Sequence, residues 1–386
     1  MVRRIAVFIG TRPEAIKMAP VIEALRADAA FEPYVINAGQ HREMIEQVVQ
    51  LFGIEVDADL AAMEPSQTLA GLTARLVERI DQALAAAKPD MVLVQGDTTT
   101  VLCAALASFY RKIPIGHVEA GLRTGDVLSP FPEEANRRLV SPLVSLHFAP
   151  TETARQALLA ERVPDDSIFV TGNTVIDALL TEVRRQEHEE VRGALQHEIG
   201  DLLGAHWRKQ PMILVTGHRR ENFGAGFESI CDALAELSAL RPDALIVYPV
   251  HLNPQVKEVV HARLGSHKNI RLIAPQPYSQ FVALAKACTL ILTDSGGVQE
   301  EAPSLGKPVL VMRESTERPE GVEAGAVKLV GPHAKRIVDE TLRLLTDQAA
   351  YDAMARVANP YGDGHAAGRI VEAIRQHADR GLLGSR

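Results

Sequence analysis

The sequence is poor in aromatic residues, which make up 4% of its 386 positions and include 1 tryptophan, and it has only 3 cysteines. Long hydrophobic runs and an excess of positive charge are missing too. Each scarcity excludes something. Cys103, Cys231 and Cys288 are an odd set without C-x-x-C spacing, each among apolar neighbours, so they read as reduced structural thiols and not as metal ligands or a disulfide framework. The formal net charge of -8 offers no counterion-release term, so neither nucleic acid nor an anionic membrane is an expected partner. No stretch approaches the roughly 20 apolar residues of a membrane span. Near the start only Ile5 to Ile9 separate Arg4 from Gly10, too short for a signal sequence, and the expected location is the cytoplasm. There is no repeat with a period of roughly 20 to 50 residues and no low-complexity tract.

What is present is a globular composition, 46% hydrophobic and 23% charged, at a length that calls for two domains of just under about 200 residues. Short runs rich in Val and Ile alternate with helical stretches, the pattern of βαβ units in parallel sheets. The first half predicts strands at Ile5 to Ile9, Tyr34 to Asn37, Met91 to Gln95, Ile115 to Val118, His147 to Ala149 and Ile168 to Val170, with helices over Glu14 to Ala27 and Gln67 to Ala87. The charge-dense segment Thr181 to Asp201 reads as a solvated connecting helix or linker. Alternation resumes with strands at Met212 to Thr216, Ala244 to Tyr248, Ile270 to Ile273, Leu290 to Thr293 and Pro308 to Val311. The expected fold is α/β: two doubly wound, Rossmann-like domains, 1–172 and 173–362, with strand ends facing a ligand cleft.

The first strand ends in Gly10-Thr11-Arg12-Pro13-Glu14 and feeds a helix carrying Lys17. Two readings fit: an anion site of helix N–H groups with Arg12 and Lys17, or a capped helix start with solvated charges. Strand Leu290 to Thr293 runs into Asp294, Ser295, Gly296 and Gly297 and then a short helix, Val298 to Leu305, where the glycines permit close approach of a phosphate. Glu301, about one and a half turns in, is placed to accept the hydroxyls of a ribose, leaving Glu300 to point elsewhere. Arg318, in a charged loop, either closes on a diphosphate or forms an exposed salt-bridged turn.

Asp97, Glu119 and Glu133 follow strand ends in the first domain. A lone acid there is usually a helix cap, as Asp97 before Thr98 illustrates, but three at one sheet edge predict at least one carboxyl with a raised pKa, fit for acid/base work. His218, past the first strand of the second domain and flanked by Arg219 and Arg220, is either a hydrogen-bonded loop residue or a group held beside phosphate. His251 precedes Asn253-Pro254, which looks chiefly like a helix start.

The segments GTRPEAIKMAP, QGDTTT, HVEAGLRTGD, FPEEANRRL, TGHRRENFG, YPVHLNP, TDSGGVQEEAPSLGKPVLVMRESTERPEG and YGDGHAAGRI occur in order. Together they closely resemble the non-hydrolysing UDP-N-acetylglucosamine 2-epimerases along essentially the whole chain. The resemblance implies a glycosyltransferase-B-like fold, with a last helix, within about 363–386, that returns to the first domain. It implies interconversion of UDP-N-acetylglucosamine and UDP-N-acetylmannosamine through eliminated UDP and an enzyme-held 2-acetamidoglucal, without cofactor or metal, by an enzyme that is usually a dimer. By the same resemblance Asp97, Glu119 and Glu133 handle the C2 proton and His218 lies near the diphosphate or glycosidic oxygen. Arg12, Lys17, Ser295, Gly296, Gly297, Glu301 and Arg318 hold phosphates and ribose, and Gln276 and Phe281 contact uracil. Gln40, His41, Arg42 and Arg219 resemble a region where family members carry a second, activating substrate molecule. The rival readings are a hydrolysing epimerase that releases N-acetylmannosamine, a glycosyltransferase, for which three proton-handling acids are too many, and a non-catalytic nucleotide-sugar sensor.

Overall fold

A computed structural model of the chain describes residues 2–39, 42–64, 67–204 and 207–381, apart from the side chains of residues 42–44 and 220. The chain forms two compact units, Met1–Ala178 with Tyr361–Arg386, and Leu179–Pro360. In the first, β1 (Arg3–Ile9), β2 (Phe31–Asn37), β3 (Ala58–Asp59), β4 (Met91–Gln95), β5 (Ile115–Val118), β6 (Leu146–Ala149) and β7 (Ile168–Val170) make a parallel sheet in the order β3-β2-β1-β4-β5-β6-β7. The chain winds outward one way from β1 and the other way from β4. The gap between the carboxyl ends of β1 and β4 is therefore a topological switch point, where doubly wound sheets bind ligands.

The second unit repeats the plan with β8 (Met212–Thr216), β9 (Leu245–Pro249), β10 (Ile270–Ile273), β11 (Leu290–Thr293), β12 (Val309–Val311) and β13 (Val327–Leu329) in the parallel order β10-β9-β8-β11-β12-β13. Its switch point lies between β8 and β11. Both sheets are of the Rossmann-like kind that the alternation predicts.

Residue parity explains why these strands are apolar throughout. Ile213 and Val215 enter one core with Ile246, Tyr248, Leu290 and Leu292, while Met212 and Leu214 enter another with Leu245, Val247 and Ile291 on the opposite face. In the first unit Leu72, Leu76, Ile80 and Leu84 form one stripe of the helix Leu69–Ala87 and pack with Ala6, Phe8, Val92 and Val94. Burying each such side chain is worth about 1.5–3 kcal/mol.

The last helix, Ala366–Asp379, belongs to the first unit. Its opening N–H groups, those of Ala366 and Ala367, donate to the Asp177 carboxylate at 3.2 and 2.9 Å, and Arg3 donates to the Ala378 carbonyl at 2.9 Å near its other end.

The segment Thr181 to Asp201 corrects the expectation of a solvated connection. It falls in two helices, Thr174–Arg185 and Glu189–Leu203, and the stripe Leu195, Ile199 and Leu203 is buried, the last two in the core beneath Met212 and Leu214. Glu182 is 1% exposed and accepts from Arg185, Gln186 and Ser279. The charges conceal an apolar stripe at four-residue spacing, enough to bury one side of a helix. Among the described residues no helix is long and apolar enough to cross a membrane.

Candidate active site

At the first switch point β1 runs through Gly10 and Thr11 into the helix Arg12–Arg26. The Thr11 hydroxyl caps the helix by accepting from the Glu14 N–H, with Pro13 in the first turn. A Cβ on Gly10 would stand 2.8 Å from Thr100 Oγ1, so the turn has no room for a side chain. Glu14, 3% exposed, accepts from the Gly10 N–H at 2.9 Å and from the Thr98 hydroxyl at 2.6 Å. Burial pushes its carboxyl up to about 7 against the pull of these hydrogen bonds.

Asp97 follows β4 and Gly96, whose φ is 80°. Thr98, not Asp97, caps the helix Thr99–Tyr110, accepting from the Val101 N–H. Asp97 instead receives the Arg137 guanidinium, Nε at 2.9 Å and Nη2 at 2.6 Å. The turn is held further by Asn136, which donates to the Asp97 carbonyl at 2.8 Å, and by His117 Nε2, 2.7 Å from the Gly96 carbonyl. Desolvation lowers His117 to about 4, so its ring is neutral and donates through Nε2.

Glu119 follows β5 with φ at 65°, a left-handed conformation that costs a non-glycine residue energy and is met mainly where a site demands it. It accepts from Lys17 Nζ at 2.5 Å and from Gln95 Nε2 at 2.6 Å. Lys17, expected on a phosphate, is thus engaged with a carboxylate. Glu133 opens the helix Glu133–Val140 and is half-buried. Its neighbour Glu134 is completely buried and accepts from the Thr124 N–H, Arg137 and Arg138. Arg12, at the start of its helix, is half-buried as well. Asp97, Glu119, Arg12 and Lys17 therefore gather where β1, β4 and β5 end.

At the second switch point β8 leads to Gly217 and His218, and β11 to Asp294 and Ser295. Asp294 is 0% exposed. One of its oxygens, Oδ2, accepts from the backbone N–H groups of His218 and Arg219 at 2.9 and 2.8 Å, and Asn222 lies 3.5 Å away. The other, Oδ1, is 3.6 Å from His218 Nδ1. The His218 ring stacks on His251 with centroids 5.3 Å apart. Desolvation lowers the His218 pKa, Asp294 opposes that, and the His251 and Arg219 charges add to the lowering.

Beyond Ser295 the helix Gly296–Glu301 continues as a 3-10 turn, Ala302–Leu305. Gly296 makes room for a side chain: a Cβ there would lie 3.1 Å from Arg318 Cζ. Arg318 Nε donates to the buried Glu300 at 2.8 Å, so Arg318 sits over the glycine turn and is not an exposed salt-bridged loop residue. Glu301 is half-buried, with Tyr278 Oη 3.4 Å from its Oε1. Phe281 packs on the core beside it, and Gln276 donates to the Ala274 carbonyl. Nearby, Arg313 pairs with Glu221 and Glu317; burial alone would raise the Glu317 carboxyl, yet the Arg313 hydrogen bond brings it to about 2. Gln40, His41 and the Arg42 side chain lie outside the described residues, while the Arg219 Nε is buried and has no hydrogen-bond partner among the described residues.

With this geometry, the comparisons are specific. The family model described as UDP-N-acetylglucosamine 2-epimerase matches residues 23–375. The chain belongs to that family. Among these epimerases, the enzyme of Escherichia coli strain K12 is 56% identical over 374 residues, covering 97% of this chain and 99% of its own length. That of Salmonella typhimurium is 54% identical with the same coverage. The crystal structure of the Neisseria meningitidis UDP-GlcNAc 2-epimerase bound to UDP-GlcNAc superposes with a TM-score of 0.91 at 46% identity, covering 97% of this chain and all of that one. The family is one of isomerases, and the glycosyltransferase-B-like fold follows with it.

The residues that hold the site together, Glu14, Gln95, Glu134, Arg137 and Asp294, are not among the site residues expected from the sequence. Two of them carried a signal. Asp294 directly follows a strand and precedes two glycines, and Arg137 stands three residues after Glu134, one turn along a helix.

Proposed function

We propose that the protein interconverts UDP-N-acetylglucosamine and UDP-N-acetylmannosamine by eliminating UDP and adding it back. The C2 proton has no neighbouring carbonyl to acidify it, so it becomes removable only as the C1–O bond breaks. UDP departs with that electron pair while a carboxylate takes the C2 proton, leaving the C1=C2 bond of 2-acetamidoglucal. Return of a proton to the opposite face of C2, with UDP re-adding at C1, gives the epimer.

The observation that carries this reading is the meeting of carboxylates and cations at one switch point, Asp97 with Arg137 and Glu119 with Lys17. On it, Asp97, Glu119 and Glu133 handle the proton. Arg12, Lys17, His218, Arg318 and the amides of Ser295, Gly296 and Gly297 stabilise departing UDP. Glu301 takes the ribose, and Gln276 with Phe281 the uracil. The bound UDP-GlcNAc of the Neisseria relative supports the substrate class. The reading includes a cytoplasmic homodimer, with domains 1–172 plus about 363–386 and 173–362, and an activating second nucleotide-sugar near Gln40, His41, Arg42 and Arg219.

The test is incubation of the pure protein with UDP-N-acetylglucosamine in heavy water, followed by NMR. Deuterium at C2 in a mixture of both UDP-sugars is expected. Free N-acetylmannosamine as the main product would establish the hydrolysing reaction instead, and an unexchanged C2 would rule out elimination.

A further inference from the structure

The Asp294 carboxylate lies at the switch point of the second unit, between the ends of β8 and β11, with no exposed surface. Such a charge is tolerable only when its oxygens are satisfied. Oδ2 is satisfied by the two backbone N–H groups of His218 and Arg219, which fix the loop carrying the histidine. Oδ1 is buried and makes no hydrogen bond among the described residues, although His218 Nδ1 stands 3.6 Å away. That separation is slightly longer than a hydrogen bond.

We propose that Asp294 is the positioning residue for His218: it anchors the loop through Oδ2 and holds the ring through Oδ1 as the tautomer with its proton on Nδ1. The argument is one of complementarity. A buried carboxylate oxygen needs a donor, and an Nδ1–H is the ring group that faces it. With Nδ1 committed, Nε2 is the working nitrogen, and on the reading of His218 as a group acting on the departing diphosphate it is Nε2–H of the imidazolium that donates there. The charges facing the ring are those of Asp294, His251 and Arg219, and Asp294 alone among them favours imidazolium. Removing its charge therefore shifts the titration of His218 downward in pH. His251 does not compete for the role: its Nδ1 accepts from the Asn253 N–H at 3.1 Å.

Asp294→Asn tests this. The amide oxygen still accepts from the two backbone N–H groups, but the amide nitrogen turned to the ring donates where an acceptor is needed. Nitrogen NMR of histidine-labelled protein, with His218 assigned by its loss in His218→Asn, should show Nδ1–H in the native protein and Nε2–H in Asp294→Asn. For the epimerase reaction kcat should fall roughly 100-fold or more with KM within about threefold, and the basic limb of the pH profile, where the imidazolium is lost, should move to lower pH. Placed on His218→Asn, Asp294→Asn should cost less than about threefold further, because a positioning residue has nothing left to position. An unchanged tautomer in a variant that unfolds at the native temperature would overturn the proposal, as would an equal loss of kcat with and without His218. The NMR arm needs no turnover, so a native protein inactive on UDP-N-acetylglucosamine would refute the functional reading and leave this arm to decide the pairing.

Discussion

The Thr98 hydroxyl donates to Glu14 Oε1 at 2.6 Å, tying the turn after β4 to the turn after β1 across the first switch point. The carboxyl that receives it is buried and titrates at about 7 instead of the ordinary 4.5. Because the folded value is the higher one, its contribution to stability is fully present below pH 4.5, where both states are protonated. It is lost as pH rises to about 7, since only the unfolded chain ionises in that interval. The loss amounts to about 3 kcal/mol. Glu14→Gln removes this dependence, so urea unfolding at pH 5 and pH 8 should show the variant gaining on the native protein at the higher pH. A stability difference independent of pH would mean that Glu14 is ionised throughout.

The sheets were legible in the sequence because covered parallel strands are continuously apolar, and parity sends alternate residues of β8 to two cores. β3 and β13 were not, since Ala58–Asp59 and Val327–Leu329 are too short for a periodic signal and depend on their neighbours for hydrogen bonds. The same limit applies to the site. Asp97 and Glu119 are visible because they follow apolar runs, whereas Arg137 reaches Asp97 from 40 residues away, a contact made by the fold and not by local spacing. Gly296 was read as clearance for a phosphate, yet its missing side chain is also clearance for Arg318.

Arg137 serves two carboxylates at once, Asp97 and the fully buried Glu134. Arg137→Leu leaves Glu134 inside with, among the described residues, only the more exposed Arg138 as a cation. Removing one partner of a buried ion pair costs about 3–5 kcal/mol, so the urea midpoint should fall sharply. Arg137→Lys should recover part of that stability but little of the activity. A single ammonium cannot reproduce the fork that reaches both acids, and Asp97 loses its fixed orientation.

Lys17 and Glu119 form a pair whose side chains are 12% and 6% exposed. Lys17→Met and Glu119→Gln should each lower kcat/KM by roughly 100-fold or more. The double variant should be less impaired than the product of the two losses, with a coupling of about 1–3 kcal/mol. Losses that multiply would show that Lys17 acts on substrate independently of Glu119.

Gly296 and Gly297 are adjacent in sequence and differ in what surrounds them. A methyl group at Gly296 would meet the Arg318 guanidinium at 3.1 to 3.5 Å, while at Gly297 nothing lies within 4 Å. Both positions are helical, where alanine is favoured over glycine by about 1 kcal/mol. Neither substitution should therefore unfold the protein, and Gly297→Ala should leave its stability equal or slightly raised. Gly296→Ala must push aside the end of a flexible side chain, which is tolerable for folding but moves Arg318 off the position set by Glu300. Calorimetric titration with UDP should then show binding to Gly296→Ala weakened about tenfold, the 1.4 kcal/mol scale of one displaced charged contact. Arg318→Ala should weaken binding at least as much, and Gly296→Ala on top of Arg318→Ala should add almost nothing. A full further loss in that double variant would show that the glycine serves the nucleotide directly and not through the arginine.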